Sequence, residues 1–129
     1  MPRLFDGTLW YRGYHGCRSK CRLRLFQPTA PGQPPVALST ELEDNPGTSI
    51  TNRIEHIAAL AFQLLERPRA GFLLIEHYQD RALIGGRPTL KEQFDQVLLT
   101  RTGPTFTDPH WRPLTRAEVE QRIGGPLEP

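Results

Sequence analysis

Between Val36 and Tyr78 the chain passes from a short apolar run into acidic residues and an Asn45-Pro46-Gly47 turn, then into a helical repeat. It returns through Gly71-Phe72-Leu73-Leu74-Ile75 to Glu76-His77-Tyr78. No other stretch restricts the fold as much. Within the repeat, Ile50, Ile54, Ile57, Ala58, Ala61, Leu64 and Leu65 recur at helical spacing and give the helix one apolar stripe. Thr48 or Ser49 is placed to cap its first turn, and Pro68 to stop it. The return run is apolar on both faces, as an interior strand covered from two sides must be. A strand, a long helix and a second strand in one sheet form a right-handed crossover with the two strands parallel, so their carboxyl ends share one edge.

The flanking segments carry simpler periods. Phe5, Gly7, Leu9 and Tyr11 alternate with Asp6, Thr8, Trp10 and Arg12, and Cys21, Leu23 and Leu25 alternate with Arg22, Arg24 and Phe26. These are the two strands of a hairpin, each with one buried face. Gln27 to Pro35 holds four prolines and is a stiff connector. Gln79 to Gln93 is expected to be a long connection, in which Thr89-Leu90-Lys91-Glu92 has capping-box spacing and suits a short helical turn. A further strand is expected over about Phe94 to Arg101. At the end Thr115 and Glu118 form a second capping box, Leu114 and Val119 a hydrophobic staple, and Gly124 a stop, which together predict a closing helix of two turns. The expected order is β-β-β-α-β-β-α: a single α+β domain over residues 1–129 with a mixed sheet of about five strands.

No apolar run has the length or flanks of a signal peptide or a membrane span, so a soluble cytoplasmic protein with no membrane partner is expected. Two cysteines, Cys17 and Cys21, are too few for the disulfide framework of a small secreted domain. The net charge of +2 does not by itself call for a nucleic acid.

The shared edge is where function is expected, because ligands in such sheets lie outside the carboxyl ends of the strands. It would gather Glu41, Glu43, Asp44 and Asn45 beside the helix start and near Glu76, His77 and Tyr78. Backbone N–H groups at Gly47, Thr48 and Ser49, with Asn45, Asn52 and Tyr78, could bind a small ligand. The acidic neighbours oppose an anion there but could hold a divalent cation. Glu41, Asp44, Glu76 and His77 are then the catalytic candidates of a metal-assisted hydrolase. The plainer alternative is that Asp44 and Asn45 cap the turn, the glutamates are solvated and His77 packs. Gly47-Thr48-Ser49 lacks the glycines and lysine of a phosphate-binding P-loop. His15, Cys17 and Cys21 want a fourth zinc ligand, which His56, His77 or His110 would have to supply from afar, and no resident metal or cofactor is expected.

A third chemistry sits on the hairpin. Arg22, Arg24 and Phe26 share a strand face near Trp10, and basic groups interleaved with aromatic rings can bind single-stranded nucleic acid. The leading expectation is a binding or interaction module with a polar pocket at the sheet edge, taking a small ligand or a protein. The hydrolase and the nucleic-acid binder are its alternatives. An exposed edge strand could also pair with a second copy to make a homo-oligomer.

Overall fold

The computed structural model describes residues 3–12, 18–27, 32–43, 50–64, 71–84, 87–99 and 111–128. In order they form β1 (Arg3–Arg12), β2 (Arg18–Phe26), β3 (Val36–Glu43), α1 (Ile50–Leu64), β4 (Phe72–Ile84), β5 (Arg87–Leu99), β6 (Arg112–Leu114) and α2 (Arg116–Ile123). The strands lie in one mixed sheet in chain order, β1-β2-β3-β4-β5-β6. As the crossover requires, β3 and β4 are parallel, with Val36 opposite Leu73 and Thr40 opposite His77. All other neighbours are antiparallel.

Two expectations are corrected. The sheet has six strands rather than about five, because Arg112–Leu114 adds β6 against β5 just before α2. Its Pro113 is tolerated because β6 lies at the sheet edge, where no further ladder needs that N–H. Secondly, Gln79 to Gln93 is no loop: β4 runs to Ile84, β5 starts at Arg87, and those two residues face each other. Only two residues, both glycine in the sequence, are left to connect them, which is the length of a tight hairpin turn. Thr89–Glu92 therefore extends β5, since ladder pairing outweighs a local capping pattern. The Asn45-Pro46-Gly47 turn, the Thr48 or Ser49 cap, Leu65 and the Pro68 stop lie outside the described residues.

The sheet is covered on both faces. On one, Ile54, Ile57, Ala58 and Ala61 of α1 pack on Cys21, Leu23, Leu25, Ala37, Phe72, Leu74, Val97 and Leu99. Their spacing of three, one and three residues along α1 is one helical stripe, although Leu64 at its end is 38 % exposed. Phe62 meets Phe72 edge-on, with ring centroids 5.0 Å apart. On the other face, Val119, Ile123 and Leu127 pack on Phe26, Val36, Leu38, Ile75, Phe94 and Leu114. Burying each large side chain contributes about 1.5–3 kcal/mol, so the alternation of β4 between the two cores is a strong determinant of the fold.

The closing helix forms as its sequence predicts. The Thr115 hydroxyl accepts from the Glu118 N–H and the Glu118 carboxylate accepts from the Thr115 N–H, closing the capping box. Leu114 and Val119 are both buried in the same core, which is the staple. Gly124 takes the left-handed conformation, φ 77°, that ends α2. Beyond it Leu127 returns to the core, and its N–H donates to the Glu120 carboxylate. No helix among the described residues is long and apolar enough to cross a membrane.

Candidate functional site

Strand alternation sends Arg24, Thr40, His77 and Glu92, one from each of four consecutive strands, to the α2 face. There they join in a single hydrogen-bonded row. Arg24 Nη2 donates to Thr40 Oγ1 at 3.0 Å. Thr40 Oγ1 and His77 Nδ1 are 3.1 Å apart, and His77 Nε2 is 2.8 Å from Glu92 Oε1. Arg116, in the first turn of α2, closes the row by donating to both Glu92 oxygens at 2.8 and 3.0 Å. Phe94 stacks on the His77 ring, with centroids 4.4 Å apart and planes within 10°.

Burial holds the His77 pKa below its ordinary value, against the upward pull of Glu92, so the ring is neutral at neutral pH. The donor directions then follow. Glu92 can only accept, so Nε2 carries the proton, and Nδ1 accepts from the Thr40 hydroxyl, whose oxygen accepts from Arg24. Burial pushes Glu92 up, but hydrogen bonds from Arg116 and His77 outweigh it and keep the carboxylate below its ordinary range. Every polar atom of the imidazole is engaged. A hydroxyl–imidazole–carboxylate sequence resembles a catalytic triad in its order alone, because a guanidinium already occupies the hydroxyl oxygen that would have to attack.

Both ends of the row grip the chain beyond α2. Arg24 Nη1 donates to the Glu128 carbonyl at 2.9 Å, and Arg116 Nη2 donates to the Leu127 carbonyl at 3.2 Å. Between this anchored segment and the sheet lies a cleft of about 260 Å³, lined by Arg3, Arg24, Phe26, Ile123, Gly125, Pro126 and Glu128. A second depression of about 450 Å³ is lined by Gln33, Pro34, Val36, Leu73, Gln96, Gln121 and Arg122. It holds no buried charge. Next to the first cleft, Asp6 accepts two hydrogen bonds from Arg22, each 2.8 Å, and Arg3 stands 3.2 Å away. The Arg22 hydrogen bond draws the Asp6 pKa down, and Asp6 in turn raises that of Arg22.

The residues singled out in the sequence are distributed unevenly around this arrangement. Glu76 is buried on the α1 face, and strand alternation puts Glu41 on that face with it, whereas His77 is on the opposite face of β4. Glu76 and His77 are thus sequence neighbours separated by the sheet. Asp44, Asn45, Gly47, Thr48 and Ser49 lie outside the described residues, as do the side chains of Asn52 in α1 and Tyr78 in β4. His15, Cys17 and His110 also lie outside them, and Cys21 is a wholly buried thiol of the α1-side core. Among the described residues no three His, Cys, Asp or Glu side chains converge as metal ligands.

The hairpin quartet does share one face, but little of it is presented to solvent. Arg24 and Phe26 are 3 % and 7 % exposed, and Arg22 is clamped to Asp6. Trp10 remains 48 % exposed, with the Lys20 ammonium 5.1 Å from its ring centroid. The members of the row that sequence reasoning passes over are Thr40, Glu92 and Arg116. Glu92 is 15 residues from His77, and only the length of the β4–β5 hairpin brings the two together. Comparison with protein families, with curated proteins and with solved structures gives no match to this chain.

Proposed function

We propose that this domain is a ligand-binding module whose site is the cleft between β2 and the segment that follows α2. The observation that carries the reading is the pair of guanidinium anchors. Arg24 and Arg116 hold the consecutive Glu128 and Leu127 carbonyls, and the Thr40–His77–Glu92 row ties the two anchors to each other. A cleft whose wall is fixed in advance spends little entropy on ordering when a ligand enters. Its size, about 260 Å³, is near the lower limit of ligand sites and suits a small molecule or one side chain of a larger partner.

Binding is favoured over hydrolysis because the proposed base, His77, has both ring nitrogens committed and lies across the sheet from Glu76. The test is a fragment screen read by amide chemical shifts in the intact chain. Fragments should perturb the amides of Arg3, Phe26, Gly125 and Glu128 as one saturable set. A panel at millimolar concentration that moves none of them removes the site.

A further inference from the structure

Among the described residues, Arg24 is a buried cation whose hydrogen bonds go only to neutral groups. The residue is 3 % exposed, Nη2 donates to a hydroxyl and Nη1 to a backbone carbonyl, and Nε is buried with no acceptor among the described residues. Buried guanidinium groups are ordinarily matched by a carboxylate or phosphate, because removing a charge from water is costly unless an opposite charge replaces the water. The nearby Asp6 carboxylate acts on Arg24 through its charge alone, since its hydrogen bonds come from Arg22 and it pairs with Arg3. Burial accordingly pulls the Arg24 pKa down, and the charges of Arg22 and Arg3 pull the same way against the smaller upward pull of Asp6 and Glu128.

We infer that the cleft takes the carboxylate of a small apolar acid, with Arg24 as its principal anchor and Arg3 as a second positive charge at the rim. This rests on reading the cleft as a binding site and adds what kind of ligand fills it. Arg22 and Arg3 contact the Asp6 carboxylate, and Asp6 and Glu128 are the two negative charges that act on Arg24. Among the described residues those two carboxylates leave one of the three positive charges, of Arg3, Arg22 and Arg24, unmatched, which suits a monoanion better than a phosphate dianion. Phe26, Ile123 and Pro126 line the rest of the cleft and offer apolar contact to the body of the acid. A planar carboxylate meets a guanidinium edge in a charge-assisted geometry that a neutral amide cannot reproduce.

The experiment titrates the full chain with benzoate, benzamide and inorganic phosphate at equal ionic strength, following backbone amides and the Arg24 Nε–H by NMR. Benzoate should move the Arg24 Nε–H and the Gly125 amide, with a Kd lower than that of benzamide by about tenfold or more. Arg24→Met should abolish benzoate binding, and Arg24→Lys, which keeps the charge but loses the fork, should weaken it by about tenfold. The lysine variant keeps the test decisive should the methionine variant fail to fold, and the exposed Arg3→Gln change gives a smaller loss. If benzamide binds as well as benzoate, or if phosphate binds and benzoate does not, the monocarboxylate assignment falls while the cleft stands as a binding site. If benzoate binds equally to Arg24→Lys, Arg24 is not the anchor. Should none of the three probes, nor the wider fragment panel, touch the cleft, the binding-module reading falls with it.

Discussion

Replacing Thr40 by valine keeps the shape of the side chain and removes one hydroxyl, which is the link between the two halves of the polar row. That hydroxyl serves two buried groups at once, Arg24 Nη2 at 3.0 Å and His77 Nδ1 at 3.1 Å. Each would be left without its acceptor or donor at a site where Arg24 is 3 % and His77 6 % exposed. An orphaned buried polar group costs about 1–3 kcal/mol. The added methyl returns at most about 0.8 kcal/mol, and less because Thr40 is only half-buried. Arg24 keeps its bond to the Glu128 carbonyl, so the lower part of the range applies and Thr40→Val should cost about 2 kcal/mol. Urea unfolding followed by far-ultraviolet circular dichroism should show an earlier midpoint with an unchanged slope. A second background sharpens the result. His77→Phe retains the stack on Phe94 but asks nothing of Thr40, so Thr40→Val should cost about 1 kcal/mol less there. A cost below about 0.5 kcal/mol, or the same cost in both backgrounds, would refute the claim that the row is energetically connected.

Three further outcomes follow from separate parts of the molecule. Because burial holds the folded-state His77 below its ordinary value of 6.5, the unfolded chain takes up that proton first, so the stabilisation is whole above 6.5 and declines as the pH falls below it. Glu92, held below 4.5, adds a loss of the same sign in more acid solution, and urea midpoints between neutral pH and pH 5 should fall less steeply for His77→Phe than for the wild type. Thr115→Ala opens the capping box of α2 and should cost about 1 kcal/mol in the same assay. Ile57→Ala, at a side chain with no exposed surface on the apolar stripe of α1, should cost about 2–5 kcal/mol, the spread reflecting how far the cavity collapses.

What could be read from the chain depended on the range of the signal. The α2 capping box, staple and glycine stop lie within eleven residues, and each partner can be named from spacing alone. The parallel pairing of β3 with β4 was also legible, since a long amphipathic helix between two apolar runs leaves few other topologies. The β4–β5 hairpin was not, because Thr89 and Glu92 satisfy a helical pattern locally while their strand conformation is decided by pairing with β4. Arg24 shows the same limit in the site. Alternation places it on one face with Arg22 and Phe26, but nothing local announces that the segment after α2 folds back over it and buries a cation that the sequence offers as part of a nucleic-acid-binding face. His77, a catalytic candidate in the sequence beside Glu76, stands across the sheet from it, because adjacency in sequence within a strand means opposite faces of the sheet.

The polar row also bears on how the two halves of the sheet find each other. Along the parallel seam between β3 and β4, Val36 faces Leu73 and Leu38 faces Ile75, so sliding β3 by two residues along β4 would exchange one aliphatic pair, Val36 with Leu73, for another, Val36 with Ile75. Apolar contact does not distinguish those alignments. Thr40 opposite His77 on one face and Ser39 opposite Glu76 on the other do distinguish them, since a slip would set an imidazole or a carboxylate against an aliphatic side chain. The buried polar groups at the seam thus act as an alignment mark. A chain with Thr40→Val and His77→Phe together, relieved of that mark on one face, should keep much of its stability while its amide spectrum gains a second set of seam resonances.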